Sequence, residues 1–238
     1  MGDFLAADHF SCRAEVPACG PYARSMTTPL AIDVWSDVVC PFCYIGSVQL
    51  ARAIDLFDHD VDVTYHAFEL DPEAPASSDE ALDEILAAKY QMPVERARTI
   101  NARLADQAAQ LGLALSFERV RRANSLDAHR LIDLATSQGR GAAMRQRLFR
   151  AYFSDGLLIS DHDTLNALAD EVGVSGAPAL WESDALVSDV RADEREAHDL
   201  GLNGVPAFVL DGRLLVSGAQ GAEAIGRALH EAWESREG

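Results

Sequence analysis

The pattern of apolar and polar positions predicts a strand, a helix and a second strand in the first part of the chain. The short apolar run at 30–35 is typical of a buried strand, and residues 61–68 alternate and are rich in β-branched side chains. Between them, the segment 45–57 carries apolar residues at i, i+4 and i+7, which is the spacing of one helical face. If the two strands run parallel, the three elements form a βαβ unit.

A long helical block is predicted to follow, from residue 77 to residue 201. Ser77 and Glu80 have the spacing of a capping box, which predicts a helix that ends near Tyr90, and Pro93 opens the next one. The further helices are predicted at 94–111, 125–137, 142–153, 161–172 and 183–200.

The strand pattern returns near the end of the chain. The apolar runs 206–210 and 213–217 flank Asp211-Gly212, a dipeptide typical of tight hairpins, and 222–235 is predicted to be a helix. The order therefore predicts an α/β fold with a four-stranded sheet built from two halves. The sheet domain is expected to comprise residues 30–75 and 202–238, and 76–201 to form an all-helical insertion.

Residues 1–29 differ from the rest, because they contain Gly, Pro, Cys12 and Cys19 with little periodicity. They lack the basic start and the continuous apolar stretch of a secretory signal. We expect this segment to be a disordered extension or a mispredicted start, with Met26 as the alternative first residue.

Composition and charge narrow the classes of function. The 238 residues are 48% hydrophobic and carry a formal net charge of −18, which argues against nucleic acid or an anionic membrane as a partner. No apolar run approaches the ~20 residues that span a bilayer. With four cysteines and no export signal, we expect a reducing, cytoplasmic location and no disulfide framework.

The candidate chemistry is Cys40-Pro41-Phe42-Cys43, which lies between the first strand and the first helix. The positive end of the helix and its unpaired N–H groups favour a thiolate at Cys40, the form that attacks a disulfide. We expect Cys43 to resolve the mixed disulfide, so that the pair forms a redox-active disulfide. A half-site for zinc and a pair of inert buried thiols are the alternatives, and we expect no metal.

The chain resembles the FrnE-like branch of the DsbA family, which is related to 2-hydroxychromene-2-carboxylate isomerases and kappa-class glutathione transferases. The resemblance covers about residues 30–235. Its motifs lie at 33–46, 68–72, Asn124 with 128–131, 148–153, 201–208 and 218–220. It implies a thioredoxin fold with a four- to five-stranded mixed sheet and a large helical insertion.

The resemblance also implies further site residues. Pro206 is expected to follow a cis peptide bond that faces the thiols, and the Val205 backbone to pair with an extended substrate. Trp35 and Phe42, where the family often has Trp, are expected to shape the pocket.

Two polar residues of the insertion complete the candidate site. His129 and Asn124 are candidates for substrate contacts, with structural roles as the alternatives. Arg130 and His66 are predicted only as surface or interface residues.

The sequence thus predicts a cytoplasmic thiol–disulfide oxidoreductase or isomerase without a bound cofactor. Its substrates are expected to be disulfide-containing proteins or small thiols, with glutathione or another low-molecular-weight thiol as a candidate co-substrate. A glutathione-dependent isomerase or transferase on the same scaffold is the alternative, and a chaperone-like binding module is the third option. The direction of electron flow and the oligomeric state stay open.

Overall fold

The sheet contains four strands in the order β2-β1-β3-β4. The structure, a computed structural model, describes residues 28–78 and 80–236. The strands are β1 (Leu30–Ser36), β2 (Val61–Ala67), β3 (Ala207–Leu210) and β4 (Leu214–Ser217). The mixed four-stranded sheet confirms the predicted fold class.

The pairing of the strands joins the two halves of the chain. Helix α1 (Pro41–Asp55) connects β1 to β2, which pair in parallel, so the βαβ prediction is confirmed. Strand β3 runs antiparallel to both β1 and β4. Asp211 (φ 51°) and Gly212 (φ 65°) both adopt the left-handed conformation that a two-residue hairpin turn requires, as predicted.

The two faces of the sheet bury different partners. One face packs on α1 and on α9 (Ala222–Glu234), because alternate strand residues such as Ile32, Val34 and Phe208 point to that side. The other face presents Trp35 and Val209 to the helical part of the chain.

Helices occupy the chain between β2 and β3. They are α2 (Leu82–Lys89), α3 (Val94–Gln110), α4 (Leu126–Ser137), α5 (Gly141–Arg150), α6 (His162–Val172), α7 (Ala177–Trp181) and α8 (Val187–Asp199). A 3₁₀ turn at Phe117–Arg119 and a π turn at Ala151–Asp155 complete this part. The exact domain boundaries stay a prediction.

The start of α1 belongs to the core of these helices. Cys40, Cys43 and Tyr44 are buried in one apolar cluster with residues of α3 to α6, and Tyr44 stacks on Phe149 with the ring centroids 4.8 Å apart. The two thiols therefore lie where the sheet meets the helical insertion.

Three predicted helix boundaries are wrong. The capping box does not form: α2 begins at Leu82, its N-cap position is Ala81, and the Ser78 hydroxyl accepts from the Glu80 N–H instead. Asp83 and Glu84 supply the negative charge that the first turn favours. The predicted helix 142–153 ends at Arg150, where the π turn replaces regular helix geometry.

The predicted helix 183–200 begins four residues late, at Val187. The carbonyls of Ser183 and Ala185 accept hydrogen bonds from the Arg130 guanidinium, and Leu186 has φ 64°. Those carbonyls are therefore used by a distant side chain and do not start a helix.

The predictions for Cys12, Cys19 and Met26 lie outside the described residues. Within 28–78 and 80–236, no helix is both long and apolar enough to cross a bilayer.

Candidate active site

The two thiols of the motif lie at the first turn of α1. Cys40 occupies the N-cap position and Pro41 the first helical position, where a missing N–H costs nothing. Both cysteines are free thiols, 3% and 2% exposed. The Cys40 carbonyl accepts from the Cys43 N–H at 3.1 Å, which holds the two residues in one turn.

Cys43 has the environment of a thiol that keeps its proton. Burial raises the pKa of Cys43 well above its ordinary value, and the hydrogen bond and charge of Cys40 raise it further. The Asp37 N–H, which donates to Cys43 Sγ at 3.5 Å, and the Ser36 side chain both act to lower this pKa. Burial therefore favours the protonated thiol at Cys43.

The Val205–Pro206 peptide bond faces Cys40. It is cis, as the family resemblance implied. Cys40 Sγ donates to the Val205 carbonyl oxygen at 3.5 Å, so a backbone acceptor lies beside the sulfur.

Gly46 of α1 packs against the ring of Pro206. A Cβ at this position would come within 2.9 Å of Pro206 Cγ and 3.2 Å of Phe208 Cζ. We expect Gly46→Ala to lower the free energy of unfolding by about 1 to 3 kcal/mol. It should also change the rate at which Cys40 reacts with a disulfide reagent, because α1 or the Pro206 ring must shift.

Gly226, within α9, is the matched control, because a Cβ there would meet no atom within 4 Å. Gly226→Ala is expected to stabilise the protein by up to about 1 kcal/mol, since alanine is the better helix former. Denaturant unfolding and the rate of reaction with a disulfide reagent measure both variants. Equal stability of Gly46→Ala and the wild type would contradict the close packing.

An apolar cavity of about 420 Å³ opens beside Cys40, between the start of α1 and helices α2 and α3. Phe42 lines it and is 48% exposed, so the predicted pocket residue does border the thiol. Leu70, Tyr90 and Ile100 also line the cavity and are exposed at the surface. Exposed apolar side chains grouped at one cavity are typical of a binding surface.

Trp35 does not line this cavity. It is 1% exposed on the opposite side of β1 from Ile32 and Val34, and its ring stacks on His66 with the centroids 4.4 Å apart. Its indole N–H donates to the Asp193 carbonyl at 3.1 Å. Trp35 therefore joins the sheet to α8.

His66 lies in the same polar network, and together with two acidic residues it forms a group that has the spacing of metal ligands. His66, Asp193 and Glu196 bring three ligand atoms within 4.8 Å of one another. Both ring nitrogens of His66 already have partners, Asp33 and Asp193, each at 3.0 Å. Burial alone would lower the pKa of His66, but these two carboxylates raise it to about 9. These hydrogen bonds account for the approach of His66 and Asp193, and Glu196 is exposed beside them.

Asn124 and His129 make different kinds of contact. The Asn124 side chain accepts from the Leu126 N–H and donates to the Pro72 carbonyl, which fastens the start of α4 to the loop after β2. His129 is 4% exposed, and its Nε2 donates to Asp37 Oδ1 at 3.4 Å. His129 therefore approaches the dithiol from the buried side, behind Asp37.

Asp37 is a site residue for which the sequence predicted no role. It is fully buried, and its carboxylate also accepts from the backbone N–H groups of Val39 and Leu70. Burial acts to lower the pKa of His129, but its hydrogen bond to Asp37 and the charges of Asp37, Glu69 and Asp133 raise it overall. The sequence signal that could have identified Asp37 is an acidic residue within the apolar stretch before Cys40.

Comparison with known proteins identifies the family. The model of the DSBA-like thioredoxin domain matches residues 31–230. The chain belongs to this family. A probable DsbA oxidoreductase from Streptomyces coelicolor is 37% identical, with a TM-score of 0.82 over 86% of this chain and 90% of that one. The uncharacterized protein YwbO of Bacillus subtilis is 28% identical over 204 residues, 84% of this chain and 96% of its own.

More distant members and relatives of the DsbA-like fold share the architecture. The cytosolic disulfide reductase DsbM of Pseudomonas aeruginosa is 22% identical, with a TM-score of 0.59 over 86% of this chain and 98% of that one. A 2-hydroxychromene-2-carboxylate isomerase is 16% identical, with a TM-score of 0.61 over 87% and 98%. The predicted resemblance to DsbA proteins is confirmed, and the FrnE-like branch stays a prediction.

Proposed function

We propose that this DsbA-like protein is a thiol–disulfide oxidoreductase of the FrnE type, in which Cys40 and Cys43 form the redox couple. The observation that carries the proposal is the unequal environment of the two sulfurs. Cys40 lies at the N-cap of α1, with its sulfur beside the Val205 carbonyl and the apolar cavity, whereas burial raises the pKa of Cys43. Cys40 is thus suited to attack the substrate disulfide, and Cys43 to keep its proton until the second step.

The exchange takes two steps. The Cys40 thiolate attacks one sulfur of a substrate disulfide, the substrate S–S bond breaks, and the other half leaves as a thiolate. Cys43 then loses its proton and attacks the Cys40 sulfur, and the second half leaves as a thiolate. Two electrons pass from the protein to the substrate, and the reverse sequence donates a disulfide.

The surroundings of Cys40 support a role for the backbone in holding the substrate. The Val205 carbonyl, 3.5 Å from Cys40 Sγ, can accept a hydrogen bond from an extended peptide segment. Such a contact does not depend on the side chains of the substrate, which suits an enzyme with many disulfide substrates.

The apolar cavity favours a substrate with apolar groups next to its disulfide. Lys89 is the charged residue among those that line it, and the Asn101 amide already donates to Asp83 at 2.6 Å. Glutathione carries two carboxylates and an ammonium group, and Lys89 can pair with only one of these charges, so the others would lose hydration here without a charged partner in the lining.

A glutathione-dependent isomerase or transferase is the second candidate. It is favoured by the shared fold with the 2-hydroxychromene-2-carboxylate isomerase and with DsbM, for which a structure with GSH is known. Such an enzyme needs one thiol, and the pairing of Cys43 with Cys40 therefore supports the redox function.

Substrate preference tests the proposed function. We expect a peptide disulfide flanked by leucine and phenylalanine to react with a kcat/KM at least about 10-fold above that of glutathione disulfide. Ile100→Glu, on α3 at the cavity, should remove most of this preference. Leu215→Glu is the matched control, because Leu215 is equally exposed on β4 and does not line the cavity. Preference for glutathione disulfide, with glutathione conjugation that survives Cys43→Ser, would instead support the transferase.

We place this activity in the cytoplasm, where reductase or isomerase work fits the reducing poise. The small number of cysteines and the shared fold with a disulfide reductase described as cytosolic support this location. Measuring the redox potential of the Cys40–Cys43 pair tests the direction, since a thioredoxin-like potential indicates a reductase.

A further inference from the structure

A small polar cavity lies on the buried side of the dithiol, between the sheet and helices α4 and α5. Its volume is about 10 Å³, roughly the room that one water molecule needs. We call it the polar chamber, after the Ser36, His129, Asp133 and Arg145 side chains in its wall. None of these residues lines the apolar cavity on the substrate side.

The polar chamber is connected to Cys43 through two neighbouring residues. The Ser36 side chain lies in the chamber wall and acts to lower the pKa of the Cys43 thiol, against the larger effect of burial. The next residue, Asp37, donates its N–H to Cys43 Sγ and accepts from His129, which also lies in the wall. The groups on this side of Cys43 are therefore polar and suited to take up the proton that leaves its sulfur.

Two buried polar atoms of the chamber residues have no hydrogen-bond partner within the described residues. They are Asp133 Oδ2 and Arg145 Nε. Arg145 is 9% exposed, and its guanidinium carbon lies 3.2 Å from the centre of the Tyr65 ring. Buried polar atoms of this kind require a partner, and the polar chamber has the room for one water molecule to supply it.

We propose that the polar chamber accepts the proton of Cys43 during resolution of the mixed disulfide, with Asp133 as the acceptor. This inference rests on the proposed function. The Cys43 S–H bond breaks, and its proton passes through Ser36 and a water to the Asp133 carboxylate. The Cys43 sulfur bonds to the Cys40 sulfur, and the substrate leaves with the electron pair of the broken S–S bond. Asp133 is partly exposed, so it can release the proton to solvent.

The charges around the chamber suit this role. Burial and the charge of Asp193 raise the pKa of Asp133 to about 6, so that at pH 7 it is mostly a carboxylate and still close to the optimum for a general base. Asp189 raises this pKa as well, while His129 and His66 lower it.

His129 faces charged groups from several elements. Asp37 lies before α1, Glu69 follows β2, and Asp133 lies one turn along α4; together they raise the pKa of His129. Tyr65 and Arg145 complete the ionisable groups of the chamber. When it is protonated, the His129 ring offsets negative charge that develops on Cys43.

The two chemical steps can be timed separately with 4,4′-dithiodipyridine, because each step releases one chromophoric thione. Cys12 and Cys19 are replaced by serine so that only the redox pair reacts. We expect Asp133→Asn to slow the second release about 10-fold or more at pH 7 and to leave the first within twofold of the wild type. The wild-type second step should accelerate as pH rises through about 6, where Asp133 becomes a carboxylate, and the Asn variant should lack this rise.

Further variants separate proton transfer from damage to the fold. Asp133→Glu should keep the rise near pH 6, and Ser36→Ala should slow the second step alone. Asp170→Asn removes an exposed carboxylate from α6 and should change neither step. A second step in Asp133→Asn with the rate and pH profile of the wild type would refute the acceptor role. Loss of the first release in the wild type would instead refute the proposed function.

Discussion

Replacing Cys40 by serine is expected to reduce disulfide exchange by about 1000-fold or more, to the uncatalysed rate. A serine hydroxyl is far less acidic than a thiol, so the N-terminus of α1 has no anion to favour and the first bond to the substrate sulfur cannot form. Because Cys40 is 3% exposed within an apolar cluster, the buried serine hydroxyl should lower the free energy of unfolding by about 1 to 3 kcal/mol. Steady-state reduction of a peptide disulfide, together with denaturant unfolding, measures both quantities.

Cys43→Ser is the matched control for this result. It keeps the attacking sulfur, so it should form a stable mixed disulfide with the substrate that mass spectrometry detects at Cys40, while turnover falls. Full disulfide reduction by Cys40→Ser would show that the proposed chemistry is wrong. If exchange is no faster than background in the wild type, and a variant without either thiol still suppresses aggregation, the chaperone-like alternative is supported.

The parts of the fold that the sequence predicted well are those with local signals. The alternation at 61–68, the Asp211-Gly212 turn and the helical spacing after the thiols each depend on neighbouring residues. The position of the thiols at a helix start follows from the same local pattern. The cis bond before Pro206 came from the family resemblance, because the residues around it carry no local signal for it.

The parts that were missed depend on contacts between distant segments. The polar chamber combines Ser36, His129 and Arg145 from three elements, and no pattern along the chain brings them together. Trp35 was expected to shape the redox pocket, but its indole faces α8, because alternate residues of a strand point to opposite faces of the sheet. The spacing of apolar residues predicted that α8 begins at residue 183. This local pattern carries no information about the hydrogen bonds that the distant Arg130 makes to the segment before α8.

Arg130 is the residue whose replacement we expect to cost the most stability. Its side chain is 7% exposed, and its guanidinium donates to the carbonyls of Leu180, Ser183 and Ala185 at 2.6, 2.5 and 2.9 Å. It also donates to Asp127 at 2.7 Å. One planar fork thus fastens α4 to the segment that joins α7 and α8.

Arg130→Ala should therefore lower the free energy of unfolding by about 3 to 5 kcal/mol, because it removes a buried charged donor from the Leu180 carbonyl and part-buried donors from the Ser183 and Ala185 carbonyls, and leaves Asp127 without its arginine. Arg130→Lys should recover only part of this loss, since a single ammonium cannot reach all the acceptors of the fork. Arg227→Ala is the matched control: Arg227 pairs with Glu223 on α9 but is 68% exposed, so the change should stay within about 0.5 kcal/mol. Urea unfolding at constant pH compares the three variants. If Arg130→Ala proved no less stable than Arg227→Ala, the guanidinium would not hold this joint, and the late start of α8 would need another cause.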